Sequence, residues 1–138
     1  MRVLIFTDFS DGANRALEFA RKHFPDAETR LLHVVDVVGL HKMHDPADSK
    51  LAHTALELQQ NLTAEAELKL AELGGGIVRY GHPAEVGLEE ARSWNADLIA
   101  MGTGGKKGLV HLLMGSVAEQ VVRDAPIPVL IVGDHDRI

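Results

Sequence analysis

A chain of 138 residues has the usual length of one domain, and 46% hydrophobic against 25% charged residues provide enough apolar surface to offset chain entropy, which excludes extensive disorder. The absence of cysteine removes disulfides, thiolate catalysis and thiolate metal sites together. A net charge of -6 with no basic run argues against nucleic acid as a partner, because a duplex needs clustered Lys and Arg to displace phosphate counterions.

The chain opens MRVLIFTDFS, where the apolar stretch is too short for a signal peptide and meets an aspartate before any small-residue cleavage site. No segment approaches the length of a membrane span, so a cytoplasmic protein with no membrane partner is expected. The apolar run Arg2 to Thr7 predicts a strand covered on both faces. Ala13, Ala16, Leu17 and Ala20 then share one helical stripe, and Leu31 to Val35 reads as a second strand. Within it His33, between Leu32 and Val34, reads as a hydrogen-bonded core histidine.

His41, His44, Asp45, Asp48 and His53 form the one cluster that suggests a transition metal. Their spacing is not that of a zinc site, and the segment reads as a solvated loop ahead of a long helix, with no metal expected. Asp45 before Pro46 marks a helix start, and Leu51, Ala55, Leu58, Leu62, Ala66, Leu70 and Leu73 share its stripe. After the break Gly74 to Gly76 come a weaker strand, Ile77 to Tyr80, and a helix from Ala84 to Trp94. The strand Leu98 to Met101 follows. Ser116 with Glu119 spells a capping box before Val121 and Val122, and Val129 to Val132 is the last strand. Tyr80 and Trp94 are isolated aromatics that read as packing and not as a stacking platform for single-stranded nucleic acid.

Strands alternating with helices predict an α/β fold: a single doubly wound, five-stranded parallel sheet with helices on both faces, Rossmann-like, in one domain over residues 1–138. In such sheets ligands sit beyond the carboxyl ends of the strands, where the strand order reverses. The loops after Thr7, Val35, Tyr80 and Met101 are therefore the candidate site.

The loop after Met101 reads GTGGKKGLVHLLMGSVAEQ. Gly102, Gly104, Gly105 and Gly108 leave backbone amides uncovered beside Lys106 and Lys107, and exposed amides at a helix start favour an anion, phosphate above all. Gly115 and Ser116 repeat the arrangement at the next helix. Neither lysine precedes Ser or Thr, so this is no P-loop, and Lys107 stands where the dinucleotide fingerprint needs glycine. As bland alternatives, the glycines make only a flexible loop and Ser116 only a cap, and Asp8 simply ends its strand and caps the next helix, a task Ser10 or Asp11 performs equally well.

Gly102, Gly105, Gly115 and Ser116 follow the pattern of glycine, two residues, glycine, nine residues, then Gly-Ser/Thr, and in this the chain resembles the universal stress protein family. The resemblance runs through nearly the whole sequence: TDFSDGANRALEFA is similar to the family's first strand and helix, LLHVVD to its second strand, GHPAE to its Gly-x-Pro turn, ADLIAMGTGG to its fourth strand and APIPVLIV to its last. It implies a strand order of 3-2-1-4-5. It also implies ATP as ligand with Mg2+ alongside, Asp8 near the ribose or a metal-bound water, Val34 on the adenine through its backbone, and Met101 lining the base pocket. Gly102, Gly105, Gly115, Ser116 and Val117 would hold the ribose and phosphates. Two positions depart from the family pattern: Gly104 stands where many members carry histidine, and Phe6 where some carry a small residue or proline.

The resemblance points to an ATP-binding regulatory module of the stress response, acting as a homodimer through the edge strand Val129 to Val132, with a protein partner that the sequence does not identify. An ATP-hydrolysing enzyme is the alternative. No Ser-Gly-Gly-x-Asp-Ser loop, His-x-Gly-His motif or base within the glycine loop supports it, so at most slow hydrolysis is expected. A nucleotide-free interaction module is the third reading, and the intact glycine spacing counts against it.

Overall fold

The structure, a computed structural model, describes residues 1–36, 49–104 and 114–133. Five strands, β1 (Arg2–Phe6), β2 (Glu28–Val35), β3 (Ile77–Tyr80), β4 (Leu98–Gly102) and β5 (Val129–Val132), form one parallel sheet in the order β3-β2-β1-β4-β5. The described helices are α1 (Asp11–His23), α2 (Ser49–Glu72), α3 (Pro83–Ser93) and α4 (Ser116–Asp124). Fold class and strand order are as expected.

The central strand explains the layering. Val3, Leu4 and Ile5 are wholly buried, and because side chains alternate across a strand they feed two separate cores. Leu4 and Phe6 join Leu32, Leu88, Trp94, Ile99 and Val121 on the side of α3 and α4. Val3 and Ile5 join Leu17, Ala20, Leu31, Leu70 and Ala100 on the side of α1 and α2. A one-residue slip of β1 would exchange the two sets, so its register with β2 (Phe6 opposite Leu32) and β4 (Ile5 opposite Ala100) is strongly specified.

Several boundaries differ from the sequence expectation, each for a visible reason. β2 begins at Glu28 and not at Leu31: Arg30 extends the strand by laying its guanidinium over the Trp94 ring at 4.5 Å and pairing with the buried Glu90 at 2.7 Å. Among the described side chains of the α2 stripe, only the carboxyl-terminal ones are buried. Ala66 and Leu70 are buried, whereas Leu58 and Leu62 are 40% and 38% exposed. Trp94 packs in the core as read, but Tyr80 is largely exposed and reaches the Thr63 hydroxyl at 3.0 Å. His33 is hydrogen-bonded, its Nδ1 donating to the Thr7 carbonyl at 2.8 Å, yet it is only half-buried. The cap at Asp45 lies outside the described residues.

Candidate functional site

The strand order reverses between β1 and β4, and there a cavity of about 220 Å³ opens at their carboxyl ends. Of the residues singled out from the sequence, Asp8, Val34, Met101, Gly102, Gly115, Ser116 and Val117 all line it. Gly105 lies outside the described residues, as do Lys106, Lys107 and the loop cluster His41, His44, Asp45 and Asp48.

Three described helix starts reach this cleft, α3 through Pro83, and those of α1 and α4 are finished differently. α1 is capped: the Ser10 hydroxyl accepts the Ala13 amide at 3.2 Å, and Asp8 Oδ1 accepts the Ser10 amide at 3.0 Å. Asp8 is therefore a brace of the β1–α1 loop and not the cap itself. It is exposed, and among the described residues its second carboxylate oxygen makes no hydrogen bond.

Among the described residues no side chain caps α4. The capping box expected from Ser116 and Glu119 is not formed, because the N-cap is Gly115, at φ -72° and ψ 168°, and Ser116 is the first helical residue. Glu119 is then one position too far along to reach back, and its amide bonds the Gly115 carbonyl at 3.0 Å. The Gly115 amide is not available to an anion either, since it donates to the Thr103 carbonyl at 2.8 Å. What remains are the amides of Ser116, Val117 and Ala118, which no α-helix satisfies in its own first turn, together with the exposed Ser116 hydroxyl. This uncapped start, carrying the positive end of the helix dipole, is suited to an anion.

Phe6, Leu32, Val34 and Met101 give the cleft an apolar wall. Its polar feature is backbone. In a parallel ladder the peptide groups of alternate residues face the same neighbour. The Leu32 carbonyl accepts from Thr7 on the β1 side, while the Val35 carbonyl accepts from Gly81 on the β3 side. Val34 therefore faces the β1 side, beyond the last β1–β2 pair, Phe6 with Leu32. Its amide and carbonyl look into the cleft.

Gly102 lines the cleft but has a second duty. A β-carbon there would stand 2.7 Å from the Gly12 carbonyl carbon and 2.8 Å from the Ala13 nitrogen, so the glycine permits β4 to end against the start of α1. Sequence reasoning did not reach Thr103, whose peptide joins β5 to α4, or Gly87, against which the Phe6 ring rests. A glycine inside a helix was the signal for the latter. A second hollow, of about 310 Å³, lies across the β1–α1 loop between Phe9, His33 and Leu62. No described helix start opens into it, and its Lys69 is paired with Glu65 at 3.1 Å.

The sequence model described as the universal stress protein family matches residues 1–133. Universal stress protein MJ0531 of Methanocaldococcus jannaschii is 38% identical over 144 residues, which cover 95% of this chain and 81% of that protein. The solved structure of protein MJ0577 superposes with a TM-score of 0.75 at 31% identity, covering 99% of this chain and 97% of that one. A family protein of Arabidopsis thaliana, whose structure has AMP bound, shares the fold at a TM-score of 0.58 and 21% identity, over 98% of this chain and 92% of its own.

Proposed function

This chain belongs to the universal stress protein family, and we propose that it binds ATP in the cleft between β1 and β4 as a nucleotide-dependent regulatory module of the stress response. One observation carries the reading: the start of α4, which follows β4, and the outward-facing Val34 peptide on β2 line one cleft from the two sides of β1. An adenine edge offers a donor and an acceptor side by side, which the Val34 carbonyl and amide match, while Phe6, Leu32 and Met101 cover the faces of the ring. On the α4 side the amides of Ser116 to Ala118 and the Ser116 hydroxyl receive phosphate oxygens, each charge-assisted bond being stronger than a neutral one. Gly105 would join Gly102 and Val117 on the ribose and phosphates.

Asp8 fits a magnesium ion carried with the triphosphate, because one oxygen is committed to Ser10 and the other is exposed. It would hold a metal-bound water, and the ion would offset phosphate charge. Among the described residues lining the cleft the ionisable side chains are Asp8 and His33, and His33 donates its Nδ1 hydrogen to the Thr7 carbonyl with its ring against Phe9 at 4.6 Å. Binding and signalling, with at most slow hydrolysis, is the function proposed.

Nucleotide released from the purified, denatured protein and identified by mass spectrometry would name the ligand. A thermal shift then tests the reading. At a micromolar Kd, 1 mM ATP stabilises the folded state by about 4 kcal/mol, on the order of 10 °C for a domain of this size. No shift with ATP, ADP or AMP contradicts it.

A further inference from the structure

The middle of α3 contains a glycine, Gly87, which is buried. Glycine in a helix interior costs stability relative to alanine, so its presence asks for a packing reason. The reason is Phe6: a β-carbon on Gly87 would stand 2.3 Å from Cζ and 2.4 Å from Cε2 of that ring. The ring tip thus occupies the volume that any other residue would fill.

Around Phe6 the space is otherwise taken. Leu4, Leu32, Ala84 and Leu88 pack in the same core, each 4% exposed or less, and densely packed interiors leave no room for a displaced ring. The open volume beside it is the cleft, whose wall Phe6 itself forms. We infer that Gly87 is a positioning residue for the ligand. By yielding its side-chain volume it draws the Phe6 ring back toward α3, and this keeps the apolar slot open to a flat purine base. The inference rests on the nucleotide reading above for the identity of the occupant, but the coupling between Gly87 and Phe6 is readable without any ligand.

The contacting atoms belong to the far end of a side chain and not to backbone, so alanine at 87 is accommodated by turning the ring. Gly87→Ala is therefore expected to fold, with the Phe6 ring turned into the cleft. Two measurements on the full chain test this. By calorimetry, ATP affinity falls at least tenfold in Gly87→Ala and returns to within threefold of Phe6→Leu in the double variant Phe6→Leu/Gly87→Ala, because leucine does not reach the new methyl group. By NMR, nuclear Overhauser contacts between the Phe6 ring and the Met101 and Val117 methyl groups strengthen in Gly87→Ala without ligand. ATP binding by Gly87→Ala as tight as by the native chain overturns the inference. So does a Gly87→Ala protein that fails to fold, since the ring then has nowhere to turn. If the native chain binds no adenine nucleotide, the ligand reading fails, and the NMR contacts still decide the Gly87–Phe6 coupling: an unmoved ring overturns it.

Discussion

The carbonyl of Thr103 accepts the amide of Gly115 at 2.8 Å, and the amide of Thr103 donates to the carbonyl of Val132 at 3.0 Å. A single residue thereby ties the start of α4, the proposed phosphate end of the cleft, to the last residue of the edge strand β5. On its inner side β5 pairs with β4, and it stands at the end of the sheet. Its four apolar residues are only half-buried, an arrangement that favours pairing with a second copy. A homodimer through Val129 to Val132 is proposed, and a binding effect at one end must be returned at the other. Sedimentation at tens of micromolar is expected to give a dimer that ATP tightens. A 15.0 kDa monomer with and without ATP contradicts this. Leu130 and Ile131 also pack against the two cores, so lysine at either position weakens the fold as well as the pairing, and the native chain is the cleaner subject.

Gly115→Val tests the phosphate end. The backbone there, at φ -72° and ψ 168°, is extended and open to valine, so the protein folds with a loss of about 1 kcal/mol for a poor N-cap. The branched side chain at the mouth of α4 should weaken ATP binding at least tenfold by calorimetry. Unchanged affinity would remove phosphate from this helix start.

Ser116→Ala separates contact from cap. Because Ser116 is the first helical residue and not the N-cap, its loss should leave stability within about 0.5 kcal/mol, as for an ordinary exposed position. Removing the hydroxyl should lower ATP affinity by up to about tenfold, the range of one hydrogen bond. The opposite pattern, a less stable protein that binds ATP normally, would restore Ser116 to a structural role.

Gly102 and Gly104 are expected to respond to alanine differently. At Gly102 the new β-carbon meets backbone of Gly12 and Ala13, which does not yield without moving α1, and a loss of about 3 kcal/mol is expected in chemical denaturation. At Gly104 it meets nothing within 4 Å, and the loss is the conformational one for φ 64°, about 1 kcal/mol. Equal losses would contradict the close approach of β4 and α1.

The architecture was legible because the strands are short apolar runs separated by helical stripes, and buried parallel strands carry that signature without help from distant contacts. What depended on distant partners was not legible. β2 starts early because Arg30 finds Glu90 and Trp94, sixty and more residues away. The spacing of Ser116 and Glu119 fits a capping box, yet the Thr103 carbonyl holds Gly115 at the N-cap and moves the frame by one. The site residues named by motif line one cleft wherever the structure describes them. The determinants of the slot's shape, Phe6 against Gly87, are a contact between β1 and α3, which only the folded chain brings together.

The central claim is that the cleft between β1 and β4 takes an adenine nucleotide, and isothermal calorimetry on protein first stripped of bound nucleotide tests it most directly. Titration with ATP and magnesium is expected to give a saturable heat with a Kd in the micromolar range, about 8 kcal/mol of binding free energy. No heat with millimolar ATP, ADP or AMP would contradict the account.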